Sequence, residues 1–138
     1  MTASDDFPIT IFHNPKCGTS RNVVAMVEAA GYVPTVVEYL KAGWTREQLL
    51  DLSTRSGLSP RQMLREKGTP AEELGLLAEG VTDETILAAM VEHPILVNRP
   101  IVVTPRGAAL ARPSEKVLDL LERKPTSFTK EDGEVVKL

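Results

Sequence analysis

Residues 8–13 read PITIFH, an apolar run rich in β-branched and aromatic side chains, which predicts a short buried strand. The period then changes. Across TSRNVVAMVEAAG (19–31) the apolar positions Val23, Val24, Val27 and Ala30 fall on one helical face, and Gly31 supplies the stop. PTVVEYL (34–40) returns to strand character. Strand, helix and strand within about thirty residues predict a right-handed βαβ unit with parallel strands.

The patterning of the middle of the chain is helical. TREQLLDLSTRSG (45–57) opens with Thr45 and Gln48 in capping-box spacing and closes at Gly57. SPRQMLREKG (59–68) has Ser59 as cap, Pro60 at the first helical position and Gln62 in box spacing. TPAEELG (69–75) repeats the device with Thr69, Pro70 and Glu72, and TDETILAAMVEHP (82–94) is a further amphipathic segment stopped by Pro94. After it, PIVV (100–103) predicts a strand, TPRG (104–107) a turn and AALA (108–111) the returning arm of an antiparallel hairpin. PSEKVLDLLE (113–122) predicts a last helix. The order is β-α-β, helices, then β-β-α. That is the order of an α/β domain of thioredoxin-like type, with an all-helical insertion (about 45–94) between the second and third strands. The domain is expected to occupy 1–122, leaving 123–138 as a polar, loosely held tail.

Composition narrows the class without disturbing this picture. A chain of 138 residues suits one domain with a core of its own. Hydrophobic and charged fractions of 42% and 25% are those of an ordinary soluble protein. The net charge of −3 gives no general attraction to nucleic acid or anionic membranes. No apolar run approaches the roughly 18 residues of a membrane helix, and the N-terminus lacks the pattern of a signal peptide. A cytoplasmic protein is the expectation.

The one cysteine, Cys17, falls where the first strand gives way to the first helix, in IFHNPKCGTSRN (11–22). A thiolate there faces free backbone N–H groups and the positive end of the helix dipole, which lower a thiol pKa. His13 and Arg21, four residues to either side, add potential donors or cations, and Ser20 or Thr19 can offer a hydroxyl. The successive N–H groups of Gly18, Thr19 and Ser20 beside an arginine also make a site for an oxyanion. A buried structural cysteine is the alternative, but the polar, turn-forming HNP and GTSR on either side oppose it. No Cys-x-x-Cys exists, so an oxidised Cys17 must be reduced by a thiol of another molecule. No Cys/His cluster has metal-ligand spacing, so no metal is expected.

HNPKCGTSRN, ELGL, HPILVNRPIVVTPRG and ARPSEKVLDLL together closely resemble the glutaredoxin-dependent arsenate reductases, from about Ile9 to Leu121. The resemblance implies that Cys17 is the nucleophile that attacks arsenate, and that His13 helps to keep it ionised. It implies that Arg65, Arg99 and Arg112 bind the anion together with Gly18, Thr19 and Ser20. It further implies glutathione as co-substrate and glutaredoxin as reductant, with no bound cofactor. By spacing alone either Arg61 or Arg65 could point inward. Arg99 precedes Pro100 where thioredoxin-like folds carry a cis-proline, so that bond is expected to be cis. Arg21 and Arg106 stay unassigned, and His93 reads as a helix-end residue. Two other readings remain open: a regulator of the same fold that binds RNA polymerase, and a glutathione-dependent thiol reductase with a different substrate.

Overall fold

The computed structural model describes residues 7–122 and the backbone of two further short strands, Ser127–Thr129 and Val135–Lys137. The chain divides into two compact units, one holding the residues up to Glu38 and from Arg99 onward, the other Tyr39–Asn98.

The first unit is built on a four-stranded mixed sheet. Its strands are β1 (Thr10–His13), β2 (Thr35–Glu38), β3 (Ile101–Thr104) and β4 (Gly107–Leu110), in the order β2-β1-β3-β4. β1 and β2 run parallel with His13 opposite Glu38, while β3 is antiparallel to both β1 and β4. This is the thioredoxin-like α/β arrangement. Between β1 and β2 lies α1 (Gly18–Ala29). Its buried face, Val23, Met26 and Val27, packs with Ile9 and Ile11 of the β1 segment, Val102 of β3 and Val117, Leu118 and Leu121. The alternation along β1 explains the partnership, since Ile9 and Ile11 stand on one face of the pleat. α1 ends at Gly31, whose N–H bonds Glu28 O while that of Tyr32 bonds Val27 O, a Schellman closure.

The last helix expected at 113–122 is instead a 3₁₀ segment, Ser114–Leu120. It buries Ser114, Val117, Leu118 and Leu120. The Arg99–Pro100 and Arg112–Pro113 bonds are both cis. Of the segment read as a tail (123–138), only Ser127–Thr129 and Val135–Lys137 are described, as strands β5 and β6 of an antiparallel ribbon; the rest lies outside the described residues.

The second unit contains α2 (Tyr39–Ala42), α3 (Arg46–Ser56), α4 (Pro60–Met63), α5 (Asp83–Glu92) and a 3₁₀ turn at Pro94–Leu96. The strand expected at 34–40 stops at Glu38. Tyr39 is buried and stacks on Trp44 with ring centroids 5.3 Å apart, so the chain coils into α2 there. Both capping boxes predicted for Thr45 with Gln48 and for Ser59 with Gln62 are formed. The helix expected over 59–68 ends early, at Met63. Arg65 N–H bonds Leu96 O at 2.7 Å and Asn98 N–H bonds Met63 O at 2.8 Å, which holds this stretch extended beside Val97. The helix expected over 69–75 does not form. Thr69 Oγ1 donates back toward Arg65 O and Glu66 O and accepts from Ala71 N–H. Gly75, at φ +74°, then closes a single turn, with Gly75 N–H on Glu72 O and Leu76 N–H on Ala71 O. Among the described residues no helix is long and apolar enough to cross a membrane.

Candidate active site

Cys17 is the N-cap residue of α1, with extended backbone (φ −96°, ψ 120°). Asn14 makes the turn that presents it: its carbonyl accepts Cys17 N–H (3.0 Å) and its Oδ1 accepts Lys16 N–H (3.0 Å). Asn14 N–H donates to Ser20 Oγ at 3.1 Å, tying the turn to the first turn of the helix. Asn14 was not singled out from the sequence, although an Asn-Pro pair before a helix is a turn-initiation signal.

Cys17 is buried, at 8% exposure, although its polar flanking residues argued against burial. Burial by itself pushes its pKa up, but the Ser20 N–H, the charge of Arg99 and the hydrogen bond and charge of Arg112 outweigh burial. Cys17 therefore titrates below the ordinary thiol value. Arg112 Nη1 lies 3.6 Å from the sulfur and donates also to Arg99 O at 3.1 Å. Gly18, Thr19 and Ser20 occupy the first three helical positions, whose N–H groups have no acceptor inside the helix. The thiol thus lies near backbone donors and the charges of Arg99 and Arg112, a setting that suits a tetrahedral oxyanion bonded to the sulfur.

The side chains expected nearby divide. The Ser20 hydroxyl, suggested as a donor to the thiolate, is fully buried and bonded instead to His13 Nδ1 (2.6 Å) and Asn14 N–H; it is the backbone N–H of Ser20 that favours the thiolate. His13 titrates below its ordinary value, because burial and the charge of Arg21 together exceed the opposing pull of Glu38. It is therefore a neutral imidazole at pH 7, linked to Cys17 through Ser20 and not as a cation beside it. Arg21 Nη1 bonds Pro15 O at 2.7 Å, and Arg106 Nη1 bonds Leu121 O at 2.6 Å, so both stabilise local backbone. In the helical unit Arg61 Nη2 donates to Val81 O (2.8 Å). Arg65 Nε donates to Lys67 O (2.9 Å), and its head covers Gly68, where an added Cβ would lie 3.1 Å from Nη2. His93 caps the end of α5. Among the described residues no group of three or more His, Cys, Asp or Glu could hold a metal ion.

The model of the ArsC family matches residues 12–120, a stretch containing His13, Cys17, Arg65, Arg99 and Arg112. The chain belongs to the ArsC family. Similar ArsC-type proteins include arsenate reductase ArsI2 of Synechocystis sp., 61% identical over 129 residues that span 93% of this chain and 92% of that one. An Escherichia coli arsenate reductase is 52% identical with the same coverage. Among solved structures, an arsenate reductase from Vibrio cholerae superposes with a TM-score of 0.80 at 40% identity, covering 83% of this chain and 98% of its own. The overall fold described above is thus shared with a solved arsenate reductase.

Proposed function

We propose that this chain is a cytoplasmic arsenate reductase that uses glutathione and glutaredoxin, with Cys17 as its nucleophile. The observation that carries the reading is the Cys17 sulfur itself. It is held at a helix N-terminus, within reach of Ser20 N–H and Arg112 Nη1, and titrates below an ordinary thiol. Curated relatives at 50–61% identity bear the name arsenate reductase, which supplies the substrate.

Arsenate binds over the N–H groups of Gly18, Thr19 and Ser20, with the charges of Arg99 and Arg112 stabilising its oxygens. The thiolate attacks arsenic, a sulfur–arsenic bond forms, and an oxygen leaves as water after taking up protons. Glutathione displaces a second oxygen in the same way, giving a Cys17–arsenic(V)–glutathione adduct. A glutaredoxin thiolate then attacks the glutathione sulfur. A disulfide forms between them, and the electron pair of the broken sulfur–arsenic bond remains on arsenic, which falls from +5 to +3. Hydrolysis of the remaining bond releases arsenite and restores Cys17. The two electrons come from two external thiols, as a chain with one cysteine requires. No resident cofactor takes part.

The test is arsenite formation from arsenate with glutathione and glutaredoxin, run beside Cys17→Ser. Turnover that vanishes in the variant supports the reading. Equal turnover in the variant removes Cys17 as nucleophile, and no turnover in either form moves the assignment to a regulator or to another substrate.

A further inference from the structure

His13 and Glu38 are register partners on the parallel strands β1 and β2. Paired residues on adjacent strands project to the same face, with Cβ atoms about 5 Å apart. Both side chains are half-buried. On its other side the His13 ring reaches Ser20 Oγ through Nδ1 at 2.6 Å, and Ser20 Oγ also accepts Asn14 N–H at 3.1 Å. A hydroxyl has one hydrogen, so the tautomer of His13 decides where it goes. If Nδ1 is bare, Ser20 donates to it and is clamped by two bonds of opposite sense. If Nδ1 carries the proton, Ser20 only accepts, and its hydrogen is left to find a partner elsewhere. Ser20 is fully buried, and Asn14, whose N–H it accepts, takes Cys17 N–H on its own carbonyl at 3.0 Å, so the clamp holds the turn that presents the sulfur.

We propose that Glu38 is a positioning residue for the thiol: it holds the His13 proton on Nε2, so that Nδ1 accepts from Ser20 and fixes the Asn14 turn that presents Cys17. The inference rests on the reading of Cys17 as nucleophile, but not on arsenate as substrate. The charged groups acting on His13 are Glu38 from β2, which favours the imidazolium, and Arg21 from α1, which opposes it; burial opposes it more strongly than either acts. The ring is consequently neutral near pH 7, where a tautomer can be defined. A carboxylate that accepts from one ring nitrogen is the usual device for choosing the tautomer presented by the other.

The test uses the intact protein. The chain holds two histidines and one cysteine, so both readouts are assignable to single groups. The first readout is ¹⁵N chemical shifts of the His13 ring at neutral pH, in wild type and Glu38→Gln. The second is the thiolate absorbance of Cys17 followed against pH in the same two proteins. The expected result is an Nε2–H tautomer in wild type, a shift toward Nδ1–H in Glu38→Gln, and a Cys17 titration displaced upward. A displacement of about half a unit leaves roughly threefold less thiolate at pH values below both midpoints.

The sign discriminates. Removing a negative charge near a thiolate would lower the thiol pKa, so a purely electrostatic Glu38 predicts an unchanged or lower midpoint in Glu38→Gln. Either result overturns the proposal, as does an Nδ1–H tautomer in wild type, which needs no variant and so is immune to misfolding. Ser20→Ala should raise the Cys17 midpoint as well, and Glu38→Gln added to it should raise it no further. Additive shifts would place the two residues on separate paths and defeat the inference. Because thiolate is read without arsenate, these outcomes are independent of whether the chain reduces arsenate.

Discussion

One nitrogen of Arg112 donates both to the Cys17 sulfur and to the carbonyl of Arg99, so this side chain is a charge partner and a strut at once. Arg112→Ala removes two of the interactions that oppose burial, and the pH midpoint for alkylation of Cys17 by iodoacetamide should move up. Its kcat/KM for arsenate should fall about ten- to hundredfold, the size of a charge-assisted hydrogen bond of about 1.5–3 kcal/mol. An unmoved midpoint would take Arg112 away from the thiol. The same depressed pKa links to stability. Cys17 titrates lower in the folded chain than the ordinary value of 9.0, so its ionisation favours the folded state. That contribution is complete above about pH 9 and is lost as pH falls through the folded midpoint. The thermal midpoint of wild type should therefore rise relative to Cys17→Ser as pH is raised toward 9, and a constant difference would contradict the linkage. At this scale the sequence was informative about the thiol's place at a helix N-terminus and its lowered pKa, because a thiol at a strand-to-helix junction has a local electrostatic meaning. It was uninformative about Asn14 and misleading about the Ser20 hydroxyl, because which atom of a residue meets the sulfur depends on how the turn closes.

Helix boundaries followed the chain where caps are local. The Thr45–Gln48 box closes in both directions, with Gln48 N–H on Thr45 Oγ1 at 3.1 Å and Thr45 N–H on Gln48 Oε1 at 3.4 Å. Thr45→Ala should cost about 1 kcal/mol of stability, read as a lower urea midpoint with unchanged slope. An unchanged midpoint would mean that α3 is held by packing alone. The same motif at Thr69 failed for a reason invisible in the local pattern. Its hydroxyl is drawn backward to the carbonyls of Arg65 and Glu66, whose own stretch is held extended by bonds to Leu96 and Asn98 some thirty residues away. Capping residues announce a start, but distant partners decide whether the backbone is free to coil. The 3₁₀ segment at Ser114–Leu120 is a similar case, since its buried positions Ser114, Val117 and Leu118 also suit an α-helix and the apolar pattern does not tell the two apart.

At the scale of the molecule the strand order was legible because a βαβ unit and a tight hairpin leave few ways to share one sheet. The division at residues 38/39 and 98/99 was placed later and ended earlier by the helical pattern (45–94), since Tyr39 and Trp44 stack and seal the unit outside any amphipathic run. Stability of the sheet-bearing unit should depend on its centre. Ile11 is fully buried in the core cluster that also holds residues of α1 and the 3₁₀ segment, and Ile11→Ala should cost about 2–5 kcal/mol in chemical denaturation. A cost below about 1 kcal/mol would show that the neighbouring side chains close the gap.

The lone cysteine of 138 residues has a practical consequence as well as a chemical one. Any thiol-directed tag consumed by the folded chain counts competent sites one for one, with no correction for bystanders. A preparation's reactive fraction, its loss to peroxide over time and its recovery by a reductant can all be followed on the same single atom.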